Sequence, residues 1–523
     1  MTLNELLADL NIHVNASYTL DTVITGLALD SRKVDEGNVF IALAGAKFHG
    51  LEYLDQVLLS GVSAVLYEPA ANGTQLAEAS KVTHVPVIAV EGLAAKLGAI
   101  AARFYQDPST KLDVIGITGT NGKTSCSQFL SQVLEDCGII GTLGWGQWGG
   151  LNETLNTTPD ALEVQKILAE LLKQGKRTVA MEVSSHGLQQ GRVNSVRFKG
   201  AVFTNISRDH LDYHETMEAY VDAKLKILSA PALEFAVVNL DDAYSQEIIS
   251  AVPMDARLWA FSTERKLAQE SSDVASKLAN RTPRVVNEHI IASNIQHKDA
   301  GIEFDVSWRR QTPGSNASAV IERQIVNVPL YGDFNVENVL AVLTVMLALG
   351  QALQAATAKL ANIKPVVGRM ERVGDSAGPL VFVDYAHTPD ALDKVLSCAK
   401  QHSKGALWVV FGCGGNRDAG KRPLMRASAE TWADHLIVTD DNPRYENGQD
   451  IVNDILADSS SAKIEVIRNR EQAIYKAIKT AALHDCIVIA GKGHEQYQEI
   501  EGVRTSFSDS RVAIEALHMR SAN

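Results

Sequence analysis

Residues 113–138, DVIGITGTNGKTSCSQFLSQVLEDCG, constrain the fold more than any other stretch: a β-branched run passes through a glycine turn into a helical pattern. Val114, Ile115 and Ile117 read as a buried strand. Cys126, Leu130, Val133, Leu134 and Cys137 then fall at helical spacing, with Gly138 as the expected stop. A strand that enters a helix through glycines aims the first helical N–H groups outward, which is the geometry of an anion cradle. In GTNGKT, Gly119 and Gly122 let the backbone of Thr120 and Asn121 curl, Lys123 supplies a positive charge, and the Thr124 hydroxyl suits Mg²⁺. Ile117 stands where the longer GxxxxGK[ST] pattern has its first glycine, so the flanking strand and helix carry the reading of a nucleotide-phosphate site.

At 523 residues the chain is too long for one ordinary core, and the length implies about three domains. The 46% hydrophobic and 21% charged content is that of a globular protein, and no continuous apolar run is long enough for a membrane helix. A formal net charge of −13 disfavours nucleic acid and anionic membranes, so an anionic substrate has to be met by local Arg, Lys and Mg²⁺. Five scattered cysteines with no CxxC pair argue for buried, reduced thiols rather than a disulfide frame or zinc knuckle. The acidic first residues, MTLNELLADLN, lack the basic start of a secretory signal, and the cytoplasm is the expected location of a monomer.

Three α/β regions follow from the pattern, with boundaries at 1–108, 109–363 and 364–523. The first mixes the helix LNELLADL with the strands NVFIALAG and SAVLYE, and it ends at Asp107-Pro108. In the second, TVAMEV, AVFTNI and AVVNL alternate with helices, which implies a mostly parallel sheet covered on both faces. Residues 264–320 are polar and read as a peripheral β insertion, with HIIASNIQ and GIEFDVSW as antiparallel strands. The alternation resumes in a helix entered through Gly332. The third region, with strands LVFVDY, LWVVFG, LIVTDD, KIEVI and CIVIAG, reads as a doubly wound, Rossmann-like sheet. Its polar signatures DYAH, GCGGNRD, DDNPR and GKGHE all follow strand ends, where open α/β sheets bind ligands.

The middle region gathers NTTPD, MEVSSHGLQQGRV and FTNISRDHLDYH at its strand ends. Thr157 or Thr158 before Pro159 reads as a helix start, and Ser184 and Ser185 as caps. Glu182 and His210 are the best candidates for Mg²⁺ ligands facing the cradle.

These motifs, with YxxAK, GxFNxxN, GRME and GKRPxM, occur from Asp30 to Glu495 in the order found in the Mur ligases of peptidoglycan synthesis, and the chain is identified as resembling that family. Val221 and Asp222 within YxxAK, and Asn416 in place of an acid, depart from the pattern. The resemblance implies an ATP-dependent amide ligase that adds meso-diaminopimelate to the D-Glu γ-carboxylate of UDP-N-acetylmuramoyl-L-Ala-D-Glu through an acyl phosphate. ATP would be held by Gly119 to Thr124, Asn335, Asn338, Arg369 and Asp384. The ions would be served by Thr124, Glu182, His210 and a carbamate on Lys224. The UDP-dipeptide would meet Ser31, the loop 46–49, Asn156, Thr157, Thr158, Ser184, Gln190 and Arg192. Diaminopimelate would meet Arg417, Asp441, Asn442, Pro443, Arg444, Gly491 and Glu495. Lysine-adding relatives, folylpolyglutamate synthase and a non-catalytic ATP sensor are the alternatives, although a folate enzyme has no need of a UDP-binding region.

Overall fold

The computed structural model describes residues 1–521 except 9, 11–19, 46–47, 81–83, 265–285, 287, 299–300, 311–319, 375–377, 458 and 460–462. Two compact units result, one made of Met1–Gly116, Glu135–Ala201 and Lys226–Glu234, the other of Ile117–Leu134, Val202–Leu225 and Phe235–Asn523. The chain leaves the first unit for the second inside the strand Asp113–Thr118 and again inside Phe198–Phe203.

In the first unit, the strands Gly26–Ala28, Asn38–Ala42, Ala64–Tyr67 and Val87–Ala89 form a four-stranded parallel sheet in that order. Its central strands are buried at every position because both faces are covered. Val39 and Ile41 pack with Leu3, Leu97 and Ile100 on one side, while Phe40 and Val65 pack with Leu51, Leu54 and Val57 on the other. Further along, Cys137–Gly141 pairs parallel with Thr178–Glu182 and antiparallel with Gly144–Gln147. The helix Ala161–Lys173 is capped by Asp160, whose carboxylate accepts from Leu162 and Glu163, so neither Thr157 nor Thr158 starts it.

The second unit carries a run of strands from Phe235–Asn239 through Arg257–Thr263 to Glu288–Lys298, all parallel, continued antiparallel by Gly301–Arg310 and Val320–Val328. The two expected antiparallel strands of the polar insertion are therefore present, with a third beside them; 265–285 and 311–319 lie outside the described residues. The helix Asp333–Ala348 enters through Gly332, φ +93°, and is buried along most of its length.

The C-terminal part of this unit is built on a six-stranded sheet ordered Glu371–Val373, Leu380–Asp384, Cys486–Ala490, Leu407–Phe411, His435–Val438 and Ile464–Val466, parallel except for the first strand. Alternate residues feed two cores, which makes it doubly wound. Phe382, Val409 and Val488 meet Leu392, Met425 and Ile451 on one face; Val381, Val410 and Ile487 meet Ile474, Ile478 and Val512 on the other. The chain is thus an α/β protein built on parallel sheets, as its sequence pattern implies. Among the described residues no helix is long and apolar enough to cross a membrane.

The expected end of the helix after GTNGKT is corrected. The helix runs Lys123–Val133, Leu134 is already extended, Asp136 is left-handed at φ +52°, and Cys137 and Gly138 open a strand. Cys137 and Ile139 to Ile140 continue an apolar run that a sheet buries on both sides, and that burial outweighs the helical spacing of Leu134 and Cys137.

Candidate active site

The strand Asp113–Thr118 delivers the chain to Gly119 at φ +145°, and Gly122 at φ +88° opens the helix Lys123–Val133. A side chain fits neither position: a Cβ on Gly119 would lie 2.0 Å from Thr204 Oγ1, and one on Gly122 would lie 2.4 Å from Asn338 Oδ1. The glycines therefore keep open a cradle that any larger residue would fill, and the helix N-terminus behind it favours an anion. A second loop braces the first. Thr120 N donates to Asn205 O at 2.7 Å, Asn121 N to Asn205 Oδ1 at 2.9 Å, and Thr204 Oγ1 to Asn121 O at 2.6 Å. Lys123 Nζ rests on the loop carbonyls of Gly119 and Thr120, at 2.7 and 2.9 Å. Beneath the loop, Cys126 Sγ lies 3.7 Å from Asn338 O and from Asn338 Oδ1, and Asn338 Nδ2 donates to Asn335 Oδ1.

Lys224 comes up under the same loop from the helix Met217–Leu225. It is 1% exposed, lies 4.5 Å over the Tyr220 ring, and donates to Gly119 O at 2.8 Å. Burial, and then the charge of Lys123, drive its amine well below the usual lysine range, against an opposing pull from Asp209 and Asp242. Tyr220 in turn shares a hydrogen bond with Thr120 Oγ1 at 3.0 Å. His210, left-handed at φ +54°, has Nε2 3.4 Å from Asp209 Oδ2. Burial acts to raise Asp209, but His210, His387 and Lys421 together hold it below the ordinary carboxylate range.

Residues of the six-stranded sheet reach the cradle within the same unit. Arg369 Nη2 donates to Thr124 Oγ1 at 3.2 Å and its guanidinium stands 4.5 Å over the Tyr385 ring. Asp390 Oδ2 accepts from Asn121 Nδ2 and Ser207 Oγ, each at 3.2 Å. Asp384 accepts from Met370 N at 2.6 Å and Ala386 N at 2.7 Å, so it holds the Arg369 loop, and burial pushes its carboxyl up to about 6. His387 Nδ1 must be the protonated nitrogen, since it meets the Tyr385 carbonyl at 2.8 Å, and burial keeps the ring neutral with its pKa down at about 4.

A second cluster forms at the C-terminal edge of that sheet. Lys492 Nζ is wholly buried, donating to Asn442 Oδ1 at 2.8 Å and Glu495 Oε2 at 3.0 Å, with Asp441 Oδ1 at 3.8 Å. Asn442 Nδ2 donates to the same Glu495 oxygen at 2.8 Å. Arg444, at φ +55°, donates from Nη1 to Gly415 O at 2.8 Å, and its backbone is held by Glu499 O and Glu501 N. Pro443 is buried beside it, and Gly491 is required because a Cβ there would lie 2.5 Å from Asp441 Oδ2. Behind Gly491, the buried Arg470 makes a two-pronged pair with Asp509 at 2.8 and 2.7 Å and donates to Ala490 O. Arg417 is exposed.

The first unit assembles its own group. Glu182 is fully buried and accepts from Thr142 N and Thr142 Oγ1, both at 2.9 Å; a Cβ on Gly141 would meet its carboxylate. Thr157 Oγ1 lies 3.0 Å from Thr142 Oγ1. Thr158 Oγ1 donates to Glu182 O and accepts from Ser184 N, and Arg192 links Thr158 O to Gln190 Oε1. Ser184 caps the next helix, as expected. Asn156 is exposed, Ser31 opens a short 3₁₀ turn capped by Asp30, and of the loop 46–49 only Phe48 and His49 lie among the described residues. His49 is buried, its ring bonded to Glu68 O and Leu51 N.

Tyr220, Asp209, His387, Asp390 and Lys492 belong to these clusters without having been singled out from the sequence. His387 and Lys492 stand inside DYAH and GKGHE, which was the available signal. Among the described residues no three His, Cys, Asp or Glu side chains gather as a metal cage. The donors at the cradle suit instead a hard cation bound mainly through phosphate oxygens and one hydroxyl.

Comparison with known proteins matches residues 23–105 to a Mur ligase family catalytic domain, 117–346 to the Mur ligase middle domain and 368–493 to the Mur ligase glutamate ligase domain. The UDP-N-acetylmuramoyl-L-alanyl-D-glutamate–2,6-diaminopimelate ligase of Pseudomonas aeruginosa is 45% identical over 502 residues, covering 95% of this chain and 96% of the relative. The enzyme of the same name from Xanthomonas campestris pv. campestris is 43% identical over 523 residues, covering 99% and 97%. A solved structure of a ligase of that name superposes with a TM-score of 0.64 at 33% identity, covering 100% of this chain and 99% of the other.

Proposed function

Because the chain belongs to the Mur ligase family, we propose that it is an ATP-dependent ligase joining meso-diaminopimelate to the D-Glu γ-carboxylate of UDP-N-acetylmuramoyl-L-Ala-D-Glu, in peptidoglycan synthesis. The observation that carries this reading is one unit holding both a glycine phosphate cradle and, at its second sheet's edge, a cluster that includes Arg444 and Glu495. Diaminopimelate ends in a carboxylate and an ammonium on one carbon, and Arg444 and Glu495 are their chemical complements.

In this reading Gly119 to Thr124 bind the ATP phosphates, Lys123 neutralises the transferring phosphoryl group, and Arg369 and Asp384 bring the third region to the nucleotide. The substrate carboxylate attacks the γ-phosphorus, ADP departs, the amine attacks the acyl phosphate, and the tetrahedral intermediate expels inorganic phosphate. Mg²⁺, served by Thr124, His210 and Lys224, would neutralise charge on the phosphate oxygens. A buried Lys224 favours the neutral amine, the form that adds CO₂: the nitrogen bonds carbon, a proton leaves, and an anionic carbamate results. Ser31, Asn156, Thr157, Thr158, Ser184, Gln190 and Arg192 would hold the UDP-dipeptide, while Arg417, Asp441 and Pro443 would shape the amino-acid pocket with Arg444. Residues 1–108, 109–363 and 364–523 are read as the UDP-substrate, ATP and amino-acid regions of a cytoplasmic monomer.

The test is phosphate release from ATP with Mg²⁺ and the UDP-dipeptide, with lysine and diaminopimelate offered separately. Release with diaminopimelate alone is expected. Equal use of both amino acids would overturn the specificity, and hydrolysis indifferent to either would leave an ATP-sensing module.

A further inference from the structure

We propose that Lys492 is a positioning residue for amino-acid selection: it touches no substrate, and it sets the one carboxylate oxygen that receives the distal ammonium. This rests on the ligase reading above. A lysine with no exposed surface needs anionic or acceptor partners, and Lys492 has them on three sides, at Asn442 Oδ1, Glu495 Oε2 and Asp441 Oδ1. Its charge is therefore consumed within the protein.

The consequence falls on Glu495. Its Oε2 accepts from both Lys492 Nζ and Asn442 Nδ2, whereas Oε1 has no partner among the described residues, and the side chain keeps 16% of its surface open. Two donors on one oxygen stop the carboxylate from rotating and present the other oxygen in a fixed direction. Asn442 is locked by the same contact. An ammonium can face only the amide oxygen, so Oδ1 turns to Lys492 and to Glu499 N at 2.9 Å, and Nδ2 is left for Glu495. Asn442 is 2% exposed with its amide used internally, so its part in the pocket is to hold Glu495. Lys492 also stands between Asp441 and Glu495; without it the two carboxylates would face each other across the buried position with nothing to balance them.

A residue acting through Glu495 should matter for the substrate group that Glu495 receives and for little else. Three amino acids separate the terms: meso-diaminopimelate, 2-aminopimelate, which lacks the distal amine, and lysine, which lacks the distal carboxylate. The wild-type enzyme should prefer diaminopimelate over 2-aminopimelate by roughly a hundredfold or more in kcat/KM, as expected when a buried polar group is left unpaired. Lys492→Met should collapse that preference to about tenfold or less, chiefly through a raised KM for diaminopimelate. The KM for ATP should hold, and the preference over lysine should change much less, since that depends on Arg444. If Lys492→Met folds poorly, as judged by thermal melting, the comparison moves to Glu495→Gln with and without Lys492→Met, where the second change should alter the preference no further. A wild-type enzyme that adds no diaminopimelate overturns the ligase reading. A wild-type enzyme that adds it, beside a Lys492→Met variant that is weaker yet keeps the full preference over 2-aminopimelate, overturns the role of Lys492 alone.

Discussion

Lys224 Nζ donates a 2.8 Å hydrogen bond to the carbonyl of Gly119, the first glycine of the phosphate loop, with the lysine almost entirely out of solvent. The amine is tied to the loop that grips the nucleotide, so a change at Lys224 is a change at the cradle. Lys224→Ala is expected to lower ligase activity by about a hundredfold or more, the scale of losing a preorganised charge at a phosphoryl site. High concentrations of formate or acetate should restore part of it by occupying the place of a carbamate. Activity assays of the variant with and without the acid check this, and an absence of rescue together with wild-type independence of dissolved CO₂ would argue for an unmodified amine.

Asp384 provides a pH signature. Burial raises its carboxyl to about 6 from an ordinary 3.8, with Arg369 and the Met370 and Ala386 N–H groups pulling it partly back. The folded state thus keeps a proton that the unfolded chain gives up. The associated stability is full below about pH 4 and is lost as pH rises through about 6, a change on the order of 2–3 kcal/mol. Urea melts of wild type and Asp384→Asn between pH 4 and 7 should show the wild type losing stability relative to the variant as pH rises. Parallel curves would exclude a buried, proton-retaining Asp384.

Arg444→Ala should cost diaminopimelate addition at least roughly a hundredfold in kcat/KM, the scale of a broken charge-assisted contact. The KM for ATP should be unchanged. Arg444 is left-handed at φ +55° and braced by Glu499 and Glu501, so a melting curve distinguishes a lost cation from a disordered loop. A variant that keeps its discrimination between diaminopimelate and lysine would move that role to another residue.

The Arg470 and Asp509 pair has no exposed surface on either side chain. Breaking it by Arg470→Met or Asp509→Asn leaves one buried charge uncompensated and should destabilise the protein by about 3–5 kcal/mol, measured by chemical denaturation. The double variant should be less damaged than the sum of the two, since it leaves no lone charge. Additive losses would mean that the pair is not coupled.

What could be read from the sequence was local. The phosphate loop was legible because strand, glycines and helix follow one another within a few turns, and the six-stranded sheet because its four inner strands carry the apolar runs LVFV, LWVVF, LIV and CIVIA, whereas its edge strand Glu371–Val373, with two charged residues in three, offers no such run. The strand Val320–Val328 begins where the polar stretch 264–320 ends and lacks a clean pattern: only Val326 and Val328 are buried, while Val320, Ile321 and Ile325 are exposed among charged and amide residues. The helix after the loop was drawn too long because Leu134 and Cys137 fit a helical spacing that the sheet overrides. Lys492 could not be valued from GKGHE, since its meaning lies in Asn442, fifty positions earlier in the chain. Arg470 and Asp509 are likewise joined only by the fold.

The thiol of Cys126, 1% exposed and lodged against Asn338 beneath the phosphate loop, turns the cradle into its own clock. A small alkylating reagent can reach that sulfur only when the loop and the Asn338 helix part. Its labelling rate at Cys126, resolved by peptide mapping from the other four sealed thiols, therefore counts openings of the nucleotide site, and a bound nucleotide should slow the count without any dye or engineered probe.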